Sequence, residues 1–497
     1  MSSNSTTKLL SKTKLMRGYQ CHKYLHLTVH KPEAEAPISP DQQSVFDQGT
    51  LVGALARSRF PNGILIDNKP WDFIGSLKRT RELLAQKVDV IYEAAFAHKG
   101  CYARADIIKY SKDSAKWKIF EVKSSTKVKD EHLDDVALQA WIMANSGLPI
   151  EEVNILHLNS ACKFPDLSNL FISVNVTEQA RTRYPMIAPT VQELFGVLNS
   201  PDAPKIDIGP HCTAPNGCGF KEHCWSEKKI PDVSVLTLPQ IKARKWELYS
   251  QGIVKLDDPK LTELNPLQER VVKAFKSRQR IVNGDGIRAA LAAWKFPLVF
   301  LDFETINPAV PRYPGTSPYQ QVPFQFSAHV LNSIDAEIEH HEYFHTEKTD
   351  PRDVLLPALL KACGEVGSIV AYYSQFESAR LTELAEFAPD SESKLKNIID
   401  RLVDPLPIIR DNIYDNNFKC SFSLKDVAPA LLGVAQSYDG MLVDNGTAAQ
   451  RAFEEIISDS TPENRRKELI AACLDYCRKD TLVMVELVKS LFRSAAQ

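Results

Sequence analysis

The sequence predicts an α/β multidomain protein, and three observations point there. Its 497 residues are too many for one hydrophobic core. Its composition, 44% hydrophobic and 25% charged with 20 Gly and 30 Pro, is that of an ordinary globular chain, not a collagenous or disordered one. Short strand-like runs alternate with helical patterns, once before residue 230 and again after Phe296. The formal charge of -2, from 60 basic and 62 acidic residues, excludes a polybasic nucleic-acid coat, so a nucleic-acid site must be a local patch. No stretch approaches ~18 consecutive apolar residues. The opening MSSNSTTKLLSKTKLMRGYQ lacks the apolar core of a secretory signal. No membrane association and a cytoplasmic location are therefore expected.

In chain order, YARADIIKY and WKIFEVK predict a hairpin closed by the polar turn YSKDSAK. DEHLDDVALQAWIMANSG predicts a helix, and VNILHLN a further strand. From 231 to 295 the strand signal fades and VSVLTLPQIKARKWELYSQGI reads as short helices. Residues 221–280 hold 13 Lys/Arg against 8 Asp/Glu, a local basic excess suited to phosphate contacts or simply to a solvated helical face. FPLVFLDFET then predicts an apolar strand. IVAYYSQFESARLTELA predicts a strand running into a helix, and ENRRKELIAACLDYCRKDTLVMVELVKSLF a long closing helix. The expected domains are 1–230, a helical linker module 231–295, and 296–497.

Chemistry concentrates in three places. Asp106 lies on one strand of the hairpin and Glu121 and Lys123 on the other, where alternation puts 121 and 123 on one face. Two carboxylates can hold a divalent cation and a nearby ammonium can position water, while a cross-strand salt bridge is the plain alternative. Asp302 and Glu304 point the same way from an apolar strand, where burying both uncompensated is costly. Tyr476 and Asp480 share a helical face, and Glu377 stands near a strand–helix junction, positions that also suit core packing, surface charge and helix-start electrostatics. Of ten cysteines, Cys101, Cys162, Cys363, Cys420, Cys473 and Cys477 read as small buried hydrophobes. Cys212, Cys218 and Cys224 sit in the Pro/Gly-rich GPHCTAPNGCGFKEHCW and look like ligands.

The ADII and EVK segments resemble the paired motifs of PD-(D/E)XK nucleases, in particular RecB-like exonucleases with an iron–sulfur cluster found in CRISPR and recombination systems. The resemblance implies a restriction-endonuclease-like domain, with Asp106 and Glu121 as metal ligands, Lys123 catalytic, and Gln139 in ALQAW as the glutamine of the next motif. In those relatives one cysteine before the core and three after it hold the cluster. Cys21 in YQCHKYLHL and Cys212, Cys218 and Cys224 match, which implies a 4Fe-4S staple across ~190 residues. Gly53 stands where many relatives carry a metal-binding histidine, and Trp141 stands near a position often held by tyrosine. The last three cysteines are evenly spaced, which keeps zinc open as the alternative, with His22, His211 or His223 as substitute ligands.

LDFET and YCRKD together resemble the DEDD exonucleases of the RNase H-like superfamily, tyrosine subtype. This implies an RNase H-like domain in which Asp302, Glu304, Glu377 and Asp480 hold Mg²⁺ or Mn²⁺ and Tyr476 orients water. Glu377 takes a place where the family has aspartate. SPYQQVPFQFSAHV and CSFSLKDVAPALL are similar to an uncharacterised RNase H-like domain found downstream of RecB-like nucleases. The two resemblances imply a metal-dependent DNA exonuclease with two nuclease modules, in repair, recombination or mobile-element defence, acting on single-stranded DNA or DNA ends. The alternatives are a nucleic-acid-binding scaffold with one or both sites inactive, and an RNA-processing exonuclease.

Overall fold

The computed structural model describes residues 9–496. It is mixed α/β, and its internal contacts divide it into two compact units. The first comprises Met1–Lys229 with Pro308–Arg312 and Thr316–Tyr319, and the second Ile230–Asn307, Tyr313–Gly315 and Gln320–Gln497. Residues 231–295, expected as a module of their own, lie wholly in the second unit.

The first unit is built on a seven-stranded sheet. Its strands are β1 (Leu10–Ser11), β2 (Ile64–Leu65), β3 (Val90–His98), β4 (Cys101–Ser111), β5 (Lys116–Lys123), β6 (Ile150–Leu158) and β7 (Phe171–Asn175). The order is β2-β3-β4-β5-β6-β7, with β1 pairing parallel to β4. The predicted hairpin is β4–β5, antiparallel from Ile107↔Phe120 to Ser111↔Lys116. The helix Asp130–Asn145 covers one face with a run of buried residues from Asp135 to Met143. Ile119, Ile155, Val136 and Ala140 belong to the same apolar cluster, so burial of that helix face orients it over the hairpin.

The second unit carries a two-residue ribbon of β8 (Ile281–Val282) with β14 (Ile413–Tyr414) and a five-stranded sheet. The sheet strands are β9 (Leu298–Ile306), β10 (Val322–Leu331), β11 (Ile338–Phe344), β12 (Ser368–Val370) and β13 (Leu402–Val403), in the order β11-β10-β9-β12-β13. β9 runs antiparallel to β10 and parallel to β12. It is apolar on both faces because both are covered. Val299, Leu301 and Phe303 join a cluster with the helices Arg352–Cys363, Gln375–Phe387 and Glu392–Asp400. Leu298 and Phe300 join Met484, Val485 and Val488 of the long helix Glu463–Ala496.

Of the stretch read as short helices, Arg244–Ser250 forms a helix and the residues before it form turns. Three arginines of the basic region are used internally. Arg244 pairs with Glu263, Arg280 with Asp415, and Arg270 donates to the Arg410 carbonyl. Lys273 and Lys276 remain exposed. Among the described residues no helix is long and apolar enough to cross a membrane.

Candidate functional site

The alternation of β9 decides what meets the long helix. Leu298 and Phe300 face its apolar residues near 484–488, so the next two side chains on that face, Asp302 and Glu304, fall opposite the preceding turns. There they meet Cys477 and Asp480. The Cys477 S–H donates to Asp302 Oδ2 at 3.6 Å, and ligand atoms of Asp302, Glu304 and Cys477 lie within 4.8 Å of one another. Glu377 enters from the first turn of Gln375–Phe387. That turn is fixed by Asp404, which accepts from the backbone N–H of Tyr373 and Ser374 and caps the helix that follows it. Tyr373 adopts a φ of 64°, a left-handed conformation that this anchoring holds in place.

Glu304, Glu377 and Asp480 are 5%, 3% and 8% exposed, and Asp302 is half-buried. Loss of hydration, then the mutual repulsion of these acids, raises Asp302 and Glu304 well above the ordinary carboxylate range. Burial pushes Glu377 up to about 8 and Asp480 to about 6. Asp480 is restrained by the facing hydroxyls of Tyr438 and Tyr476 and by the Lys425 ammonium. Lys425 lies 4.9 Å from the Tyr476 ring centre and 5.1 Å from that of Tyr438. Glu377 Oε2 is buried without a hydrogen-bond partner. Buried acids with raised pKa, with an unpaired oxygen among them, fit a divalent cation, whose charge would offset their mutual repulsion.

In the first unit, Asp106 Oδ2 accepts from the Val122 N–H at 2.7 Å, which ties β4 to β5 beside Glu121. Glu121 is 2% exposed and receives Lys123 Nζ at 2.8 Å and Gln139 Nε2 at 2.7 Å. The structure therefore brings all four sequence-predicted residues together. It adds two that the sequence reading passed over. Lys12, placed by the β1–β4 pairing, reaches Glu121 at 3.0 Å and Asp135 at 3.4 Å. Asp135, one helical turn before Gln139, also binds Lys123. Burial would raise the Glu121 pKa, but the two ammoniums override it and hold the carboxyl well below its usual range. Asp106, desolvated and repelled by Glu121, rises to about 8. A Cβ at Gly53 would meet nothing within 4 Å, so packing does not exclude a larger residue there. Trp141 packs edge-on against His98 at 5.3 Å, a structural contact.

Cys21, Cys212, Cys218 and Cys224 all line one small cavity of the first unit. Cys21 sits at the break between the helices Lys12–Gln20 and His22–His30, while Cys218 donates its N–H to the Cys212 carbonyl and Cys224 lies in Lys221–Glu227. Phe220, fully buried, and Tyr24 floor the cavity. Burial raises Cys212, Cys218 and Cys224, the second to about 11. Lys23 and Lys221 line the same cavity and can offset thiolate charge. Of the histidines proposed as substitutes, His211 lines it, His22 does not, and His223 faces Glu227 at 3.3 Å. Tetrahedral zinc at ~2.3 Å from each sulfur separates its thiolates by only about 3.8 Å. Among the described residues, no three of these thiols approach within 4.8 Å of one another.

Cys477, Lys425 and Tyr438 are the residues of the second site that the sequence reading missed. Four apart in one helical pattern, Cys473 and Cys477 read alike from the sequence, and both are buried in the structure. The position of Cys477 one residue after Tyr476 and three before Asp480 was the available signal.

Residues 299–423, about a quarter of the chain, match the family described as a domain of unknown function, DUF2779. That span contains Asp302, Glu304 and Glu377. A Mycoplasma pneumoniae protein, the uncharacterized protein MG366 homolog, is 22% identical over 259 residues, which is 49% of this chain and 39% of the relative. The chain thus spans about two fifths of that relative's length. The crystal structure of SSO0001 aligns over 40% of this chain and 81% of its own with 14% identity and a TM-score of 0.21, too loose for any inference.

Proposed function

We propose that the protein is a divalent-metal-dependent nuclease that hydrolyses phosphodiester bonds at nucleic-acid ends, with single-stranded DNA as the substrate. The observation that supports this most is the convergence of Asp302, Glu304, Glu377 and Asp480, three of them buried, from a strand and two helices. With Mg²⁺ or Mn²⁺ bound, such a site supplies an activated water and neutralises charge on the phosphate. The acids would hold the ions, and the Tyr476 hydroxyl beside Asp480 would orient the attacking water. Lys425, whose ammonium lies over both tyrosine rings, would draw the phosphate backbone toward the acids. Asp106 and Glu121 would form the second ion site, with Lys123 and Gln139 positioning groups around it. A 4Fe-4S cluster on Cys21, Cys212, Cys218 and Cys224 would be structural.

One contact favours a second reading for the first unit alone. Lys12 already places a cation between Glu121 and Asp135, where an ion would compete with it. On this reading the unit binds nucleic acid without cutting it.

The test is Mn²⁺-dependent degradation of end-labelled single-stranded DNA, with a matched RNA strand in competition. Asp302→Ala/Glu304→Ala is expected to lower the rate by on the order of 10³-fold or more, as expected when ligands of a catalytic ion are lost. Glu121→Ala/Lys123→Ala should remove a different set of products if both modules cut. An unchanged product pattern with weaker DNA binding would assign the first unit to binding, and wild-type protein inert on both strands would refute the nuclease reading.

A further inference from the structure

The acids of the second unit surround a thiol that a carboxylate site for Mg²⁺ does not require. Cys477 is fully buried, and its sulfur stands 3.6 Å from Asp302 Oδ2 and within 4.8 Å of a Glu304 oxygen. Three ligands held ~2.0–2.3 Å from one tetrahedral ion lie about 3.3–3.8 Å apart, so small side-chain movements would close this set on an ion. A second observation is independent of the thiol. The buried Glu377 Oε2 has no hydrogen-bond partner, and its carboxylate acts electrostatically on both Asp302 and Glu304. Mg²⁺ demands oxygen ligands and octahedral geometry, whereas thiolate favours zinc-class ions.

We propose that Cys477 joins Asp302 and Glu304 in an ion position selective for a borderline-soft divalent cation of the zinc class. This rests on the reading of the cluster as a divalent-ion site, and it assigns one of that site's positions a metal other than Mg²⁺. Three protein ligands leave a fourth position for water or a phosphate oxygen. Ligation converts the Cys477 thiol to thiolate, its proton passing to solvent. Cys473, one turn earlier and buried among apolar side chains, provides an internal control.

The experiment is a Co²⁺ titration of the full-length protein, recorded as the difference between wild type and Cys477→Ser. The cysteines of the first unit are the same in both, so their contribution cancels. A thiolate-to-cobalt charge-transfer band should appear in the difference spectrum and disappear when Zn²⁺ is added. Co²⁺ affinity should fall by at least about tenfold in Cys477→Ser and Cys477→Ala, while Cys473→Ser behaves as wild type. Asp302→Asn, which leaves the thiol in place, should also lose the band. Identical spectra for wild type and both Cys477 variants would overturn the proposal. Mn²⁺ binding and DNA cleavage separate the two levels. Mn²⁺-dependent cleavage with no thiolate band leaves the nuclease reading standing and removes the thiol ligand. A band in a protein that cleaves nothing with any metal supports the ion position and removes the nuclease reading.

Discussion

Glu377 is the side chain whose behaviour most clearly separates a metal site from a structural acid. Its folded pKa, about 8, lies far above the ~4.3 of an unfolded glutamate. Its neutral form therefore contributes stability that is fully present below about pH 4.3 and is lost as pH rises through 8. In metal-free protein, Glu377→Gln mimics that neutral form. Its unfolding free energy should match wild type at about pH 4 and below and exceed it increasingly toward pH 8, by up to about 1.4 kcal/mol per pH unit. Added Mn²⁺ should reverse the order at pH 8. A pH-independent gap would show that Glu377 is not the titrating group. This pH behaviour could not be read from the sequence. The strand LDFET displays its acids by simple alternation, but Glu377 becomes meaningful only through a loop that Asp404 anchors from far along the chain.

At the scale of elements, periodicity carried most of the account. The hairpin β4–β5, the helix Asp130–Asn145, the strand β9 and the helix Glu463–Ala496 all fall where alternation or helical spacing places them. What periodicity does not carry is the partner of a face. Nothing in the local pattern around Lys12 points to a site, yet the two-residue strand β1 places it over Glu121. Cys477 reads as core, yet the antiparallel run of its helix against β9 sets it on Asp302. The cysteine cavity makes a separate prediction. Phe220 is fully buried under the thiols, so Phe220→Ala should cost about 3–5 kcal/mol and loosen that end of the first unit. Protein purified without oxygen should be brown and contain iron. A colourless protein with one zinc per chain would contradict the proposed cluster.

At the scale of the molecule, each unit holds its own constellation, so a ligand should protect each locally. Hydrogen exchange with and without Mn²⁺ should show added protection in Leu298–Ile306, the first turn of Gln375–Phe387 and the middle of Glu463–Ala496. Uniform protection across the chain would point to nonspecific ion binding. The division near residue 230 was legible as a change of pattern. The membership of 231–295 in the second unit was not, because the buried positions of Pro266–Ser277 find their partners in Ile409 and Leu487, far along the sequence.

Whether the converging acids form a divalent-ion site is decided by a Mn²⁺ binding titration. Wild type should bind at least one ion per chain that Asp302→Ala/Glu304→Ala no longer binds and Glu121→Ala/Lys123→Ala still does. Equal binding by wild type and the Asp302/Glu304 variant, or no binding by either, would contradict such a site.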